Sequence, residues 1–419
     1  MKQIVIREAY DWIYCNETLT QVEWDQLIHY LEHEYKQENV IEYSNRKLRF
    51  INLVGVIQLK TVRIEILPKV NLDKEDEIQN RRALLNMLSY AKKLPVEITD
   101  RTISQFEQVD LLHILASLYI EDLSRALHRG VYREYRLTAE NSPTLKGRLL
   151  VSDHIRNNVQ RSVNVYCEFD ELTPNILVNQ VLKAAVRVIF PYVQHSSLKI
   201  QLMNILERLV DVEDVVVNKS CLDDVDLNRQ NKHYEKALPL AKAILQSNFM
   251  SSGHSQSSAF GFLFKINDLY EAYIGEILTR MMAPSAYVVK SQHTEKKLLQ
   301  NVFSGKEDFL LKPDLVIATK EDEVKVILDT KWKSAFVQYR RNYKQGDIYQ
   351  MYAYITTYRT AEHCILLYPR TEEEGAMPKW VVPRSHPEKY IEVQTVRLDK
   401  LTNTIEDLEW MMKKCGLVI

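Results

Sequence analysis

Hydrophobic positions change their period along this chain, and each change marks an expected change of architecture. In "VRIEIL", Val62, Ile64 and Ile66 alternate with Arg63 and Glu65, the two-residue period of a half-buried strand. Residues 1–75 read as a β-rich region, interrupted by a helix in "VEWDQLIHYLEHEY", where Trp24, Leu27, Ile28 and Leu31 share a stripe; Pro68 closes the strand run. Residues 76–249 read as mainly helical: "RRALLNMLSYAKKL", "VDLLHILASLYIEDLSRALHRG" with Gly130 as a C-cap, and "NILVNQVLKAAVRVIFPYV". "MSSGHSQSSAF", residues 250–260, is small and polar and reads as a linker. Residues 261–419 then run helix, strands, helix, so the expected fold class is multidomain α+β with a C-terminal α/β domain.

Two features of the last region carry chemistry. "FGFLFKINDLYEAYIGEILTRMM" is expected as one helix, with Tyr270, Ile274, Ile277, Leu278 and Met281 apolar and Glu271 on the side of Ile274 and Leu278. A carboxylate facing inward is costly unless it is paired or binds a metal. "LLKPDLVIATKEDEVKVILDTKWK" reads as a hairpin in which Asp314 opens the first strand and Asp329 and Lys331 end the second. Residues two apart project from the same face, so Asp329 and Lys331 point together while Thr330 points away, and pairing across "TKEDE" brings Asp314 near Asp329. Two carboxylates and a strand carbonyl are hard oxygen donors suited to Mg²⁺, and a neighbouring lysine can orient water or neutralise phosphate charge. The alternative is an ordinary hairpin with solvated charges.

Composition narrows the class. With 419 residues, 46% hydrophobic and 26% charged, the chain has material for two or three domain cores. Five scattered cysteines form no CxxC pair, and they read as reduced and structural. No apolar run reaches membrane-spanning length and "MKQIVIREAY" carries charges where a signal peptide is apolar, so a cytoplasmic protein without a membrane partner is expected. No GxxxxGK[ST] segment occurs, so no nucleotide is expected on this chain. The net charge of −1 means that any DNA contact must come from local patches. Lys333, Arg340, Arg341 and Lys344 are the better candidates; Lys146, Arg148, His154, Arg156 and Arg161 form either a phosphate-tracking cluster or a salt-bridged helix face. Tyr349 and Tyr352 could stack on bases or serve as core. "CEFDELTPN" reads as a turn and helix entry, capped by Thr173 or Asn175.

Glu271 on a helix, the PD…DxK hairpin, and "GDIYQMYAYITTY" with Gln350 and Tyr354 one turn apart resemble the RecB-like branch of PD-(D/E)xK nucleases. That resemblance implies Asp314 and Asp329 as Mg²⁺ ligands, Lys331 as the catalytic lysine, Glu271 as an accessory ligand, and Gln350 and Tyr354 as DNA- or site-supporting groups. Upstream, "NLVGVIQLKTVRIEILPKV", "NSPTLKGRLLVSDHIRNN", "YCEFDELTPNILVNQVLKAAVRVI" and "NRQNKHYEKALPLAKAIL" are similar to the McrC family, the nuclease subunit of McrBC 5-methylcytosine restriction systems. This wider resemblance, over about residues 50–355, implies a nuclease domain at 261–419, a docking region at 1–75, an McrB-like AAA+ GTPase hexamer as partner and methylated double-stranded DNA as substrate. A non-catalytic adaptor of a AAA+ motor and a freestanding RecB-like repair nuclease are the alternatives. The intact set Asp314, Asp329 and Lys331 favours the enzyme, and the long region before the linker argues against the freestanding nuclease.

Overall fold

A computed structural model describes residues 2–35, 40–69, 77–91, 109–158, 163–249, 259–337, 340–370 and 376–418. It has a mixed α/β architecture in two compact units, Met1–Leu111 with Ser257–Ile419, and Leu112–Gln256. In the first unit, strand Lys2–Arg7 pairs parallel with Val62–Leu67, which pairs antiparallel with Leu53–Gln58, which in turn pairs antiparallel with Phe260–Lys265.

That outermost strand corrects two expectations. The helix expected from Phe260 starts instead at Ile266 and runs to Met282, because Phe260, Phe262 and Phe264 recur every second residue and pair as a strand. Gly261 is needed there, since a Cβ on it would lie 1.8 Å from the Tyr30 hydroxyl. The strand also joins the chain that follows the middle unit to the N-terminal sheet, so the compact units cut across the expected divisions at 1–75, 76–249 and 261–419. Residues 250–258 of the expected linker lie outside the described residues, while Ala259 and Phe260 are buried and belong to the folded unit.

"VRIEIL" is the strand Val62–Leu67, but its charged face is not exposed: all six residues are buried. The Arg63 guanidinium donates to Asp110 at 2.7 Å, and Arg81, on the helix Glu77–Tyr90 packed against this strand, donates to Glu65 at 2.6 Å. Charges can be tolerated at such depth because each is paired and hydrogen-bonded.

The second sheet of this unit runs in the order Tyr287–Ser291, Leu315–Thr319, Val324–Thr330, His363–Pro369, Tyr390–Val396 and Lys379–Val381. Each of the first three strands is antiparallel to its neighbour among them; the next two join in parallel, with helix Gln345–Thr357 as the crossover between Val324–Thr330 and His363–Pro369. Gly275 of helix Ile266–Met282 approaches Leu315, whereas Val316 and Ala318 cluster with Met351 and Ile355 of the crossover helix. The two helices therefore cover opposite faces, which is why residues 315–318 can be apolar without alternation.

The second unit is helical but holds more strand than expected. Glu134–Ser142 pairs with Val165–Thr173 and places Arg136 opposite Glu171, while Arg148 of a short third strand faces Glu168. Glu168 and Glu171 of "CEFDELTPN" thus lie on a strand across from arginines, and Asp170 across from Leu137, not in a turn. The following helix, Leu177–Ile189, has no side-chain cap; Thr173 instead accepts from the Asn175 amide at 3.1 Å, and Asn175 accepts from Glu213 N. Helix Leu111–Leu127 closes through a turn reaching Gly130 at φ +95°, and the buried Tyr119 hydroxyl donates to Leu182 O at 2.7 Å. All five cysteines are free. No helix among the described residues is long and apolar enough to cross a membrane.

Candidate active site

Strand register assembles the site. Leu315 faces Leu328, so one further step sets Asp314 opposite Asp329, as the hairpin spacing requires. The approach to Asp314 is clamped from the crossover helix: Tyr354, 3% exposed, donates its hydroxyl to Lys312 O at 3.0 Å and accepts from Gln350 Nε2 at 2.7 Å. Burial pushes the Tyr354 phenol well above its ordinary pKa, so it stays a donor. Gln350 and Tyr354 act here on the backbone before Pro313, one turn apart on the same helix side. Replacing Tyr354 by Phe should lower stability by about 1 kcal/mol by leaving that carbonyl without its donor. An unchanged melting temperature in Tyr354→Phe would show that the hydroxyl does not hold the turn.

Two further residues fix Asp314, and neither stands out in the sequence. Thr330, expected to point away, donates both its amide and its hydroxyl to Asp314 Oδ2, at 2.7 and 2.8 Å. The strand alternation fails at this point because Asp314 sits just before its strand and its side chain reaches across to Thr330. Gln292, at φ +46°, donates its amide to Asp314 O at 2.6 Å and its side chain to Glu271 Oε1 at 3.1 Å. Thr330 could have been noticed as the spacer of the DxK triplet; Gln292 lies in no motif.

Asp329 is the unusual group. It is 1% exposed, and Lys331 Nζ lies 2.5 Å from its Oδ2. Apart from this ammonium, neither Asp329 oxygen has a donor among the described residues. Burial, reinforced by the Asp314 charge, pushes the Asp329 carboxyl up to about 7. Burial acts against the charge on Lys331, but Asp329, Asp314 and Asp347 outweigh it and raise its pKa, so the ammonium persists. Glu271, half-buried beside Ile274 and Leu278, is also raised, by burial first and by Asp314 second.

The donor set can be tested against a metal. Among the described residues no three His, Cys, Asp or Glu side chains are gathered closely enough to form a metal cluster, so Asp314, Asp329 and Glu271 are not a closed cage. Asp329 nevertheless offers two buried oxygens with no donor among the described residues but the Lys331 ammonium, and Asp314 uses one oxygen for Thr330. Two carboxylates with the remaining positions open fit Mg²⁺, which keeps waters and takes substrate phosphate in preference to an all-protein shell. Glu271 stands behind them, linked to Asp314 through Gln292.

The expected DNA contacts divide. Lys333 is committed to Asp347 at 2.6 Å, and Asp347 also accepts from Lys344 N at the start of the crossover helix. Arg340 and Arg341 are exposed on a two-stranded ribbon and have no ion pair among the described residues. Tyr349 and Tyr352 are exposed, unlike Tyr354. In the upstream cluster Lys146 pairs with Glu140 at 3.0 Å, Arg156 lies 3.9 Å from Asp153, and His154 accepts from Tyr166 N at 3.3 Å, the pattern of a salt-bridged face; Arg161 lies outside the described residues. One contact ties the site to the N-terminal strands: Trp332, between Lys331 and Lys333, donates to Glu8 at 3.2 Å and meets the Tyr270 ring edge-on at 5.4 Å.

A profile of the family described as McrBC 5-methylcytosine restriction system component matches residues 48–369, a span containing every site residue above from Glu271 to Tyr354. The type IV methyl-directed restriction enzyme EcoKMcrBC of Escherichia coli K12 is 19% identical over 306 residues, covering 70% of this chain and 86% of that protein. Among solved structures, a half-complex from a tetradecameric assembly of Thermococcus gammatolerans McrB AAA+ hexamers with bound McrC aligns with a TM-score of 0.72 at 19% identity, over 98% of this chain and 100% of the matched one. The Thermococcus gammatolerans McrBC complex aligns with a TM-score of 0.51 at 21% identity, over 67% of this chain and 88% of the matched one.

Proposed function

From the premise that the chain belongs to the family of McrBC 5-methylcytosine restriction system components, we propose that it is the Mg²⁺-dependent endonuclease subunit of such a system, docking on and stimulating a AAA+ GTPase hexamer. The observation that supports catalysis is Asp329: a buried carboxylate opposite Asp314 whose oxygens meet no donor among the described residues other than the Lys331 ammonium. Mg²⁺ held by Asp314 and Asp329 would supply Lewis-acid polarisation of a phosphate oxygen and a lowered pKa for an attacking water. Lys331 keeps a positive charge where negative charge develops on the phosphate in the transition state. Thr330 and Gln292 hold Asp314 in place, and Tyr354 with Gln350 holds the backbone leading to it. The intact carboxylates and lysine disfavour a decayed, adaptor-only domain.

Partnering is proposed from the relatives, whose solved assemblies contain McrB AAA+ hexamers with bound McrC. The region 1–75 is the proposed contact, acting as part of a unit that needs Phe260–Lys265 to complete its sheet. With no P-loop and a net charge of −1, this chain should neither use nucleotide energy nor bind DNA tightly on global charge. The isolated chain with Mg²⁺ should therefore cut plasmid poorly, and efficient cutting should require the ring, GTP and methylated DNA. Robust cutting of methylated and unmethylated plasmid alike by the chain alone would overturn the subunit reading and favour a freestanding nuclease.

A further inference from the structure

A cavity of about 860 Å³ opens in the second unit, where the end of helix Leu111–Leu127 and its following turn meet the segment 229–236. Its walls carry Arg125, Arg129, Arg133, Arg229, Lys232 and Lys236, against only the carboxylates of Asp122 and Glu235. Arg125 is engaged, at 2.6 Å from Glu121 and 3.0 Å from Asp122. The other five cations are exposed and form no ion pair within 4 Å among the described residues. His233, also in the wall, has a buried Nε2 with no hydrogen-bond partner. In a chain whose net charge is −1, so many unbalanced cations around one opening make a local positive field.

Beside the site carboxylates, Lys331 is held by Asp329 and Lys333 by Asp347, which leaves Lys312 exposed without an ion pair among the described residues. A subunit that cuts DNA must nevertheless hold a polyanion, and its grip then depends on cations elsewhere. Guanidinium groups bind phosphate oxygens through paired N–H donors, and each contact releases condensed counterions. The sequence has no GxxxxGK[ST] P-loop, the motif whose backbone amides cradle a nucleotide's phosphates. We propose that this cavity binds the phosphate backbone of duplex DNA. The choice of DNA rests on the nuclease reading; the site itself rests on its own cations.

The test uses the full chain in EDTA, so that binding is read without metal or cleavage. Duplex affinity is measured by fluorescence anisotropy across a salt series for the wild type, the triple variant Arg129→Ala, Arg133→Ala, Arg229→Ala, and the charge-keeping triple variant with lysine at the same positions. The alanine variant should bind at least roughly tenfold more weakly, with the slope of log affinity against log salt reduced by about 3; the lysine variant should keep most of both. Melting curves control for folding, which these exposed side chains should not disturb. Unchanged affinity and slope in the alanine variant overturn the proposal. So does loss of GTP binding with duplex affinity intact, which assigns the cavity to a nucleotide, or loss of the AAA+ ring with duplex affinity intact, which assigns it to an acidic partner surface. Failure of the nuclease reading would appear separately, as undiminished cutting when Asp329 is replaced.

Discussion

Asp329→Ala should abolish Mg²⁺-dependent cleavage of methylated DNA by the assembled complex, a loss on the order of 10³-fold or more, while the folded chain and its association with the ring persist. The size of the effect follows from what Asp329 lacks: apart from the Lys331 ammonium no donor among the described residues satisfies either oxygen, so alanine removes one ion pair and no other structural contact of that charge. Asp314→Ala should lose as much activity, but Asp314 also accepts two hydrogen bonds from Thr330, so that variant should be measurably less stable as well. Lys331→Ala should retain metal binding and cut slowly, separating charge stabilisation from metal affinity. Single-turnover rates at saturating Mg²⁺, with a Mg²⁺ titration of each variant, distinguish these cases. Wild-type cutting by Asp329→Ala would remove the site assignment altogether.

The hairpin was legible because its information is local. Asp314, Asp329 and Lys331 are bounded by two apolar strands and a short turn, so hairpin pairing brings them to one end of the sheet, although alternation misplaces Thr330. Gln350 and Tyr354 were legible as a pair, but their partner was not, because Lys312 O lies on a separate element that no spacing rule connects to the helix. Gln292 was invisible for the same reason: it joins Glu271 to Asp314 across three elements with no motif of its own. The strand Phe260–Lys265 had the right period, yet it ran straight into a strong helix, and its partner Leu53–Gln58 lies some two hundred residues earlier in the sequence. Arg63 and Glu65 looked solvent-facing because alternation reports which face is polar, and only the fold supplies Asp110 and Arg81 to meet them. Lys333 reads as free for the same reason, and the fold sets Asp347 beside it.

Without metal, Asp329→Asn should stabilise the protein at alkaline pH. The Asp329 carboxyl is raised from the ordinary 3.8 to about 7, chiefly by burial and then by Asp314. Below about pH 4 the folded and unfolded states both hold its proton and the group is neutral in its effect. Between about 4 and 7 the unfolded chain ionises while the folded one does not, so stability falls as pH rises; above about 7 the folded state carries the buried charge and the penalty is complete. Asparagine removes that charge at nearly the same volume. The variant should therefore exceed the wild type by about 1–3 kcal/mol at pH 8 in EDTA, a figure reduced from the full shift because Lys331 loses its partner, and the advantage should shrink toward zero near pH 4. Adding Mg²⁺ at pH 8 should raise the melting temperature of the wild type and leave that of Asp329→Asn almost unchanged, since a ligand that binds only the folded state stabilises it by mass action. Because the carboxyl must be ionised to bind, the wild-type response to Mg²⁺ should weaken as pH drops below 7. Melting curves of both proteins at pH 5, 7 and 8, with and without Mg²⁺, measure all of this. A variant less stable than the wild type at every pH would mean that Asp329 accepts hydrogen bonds within the fold, and the metal centre would have to be sought around other oxygens.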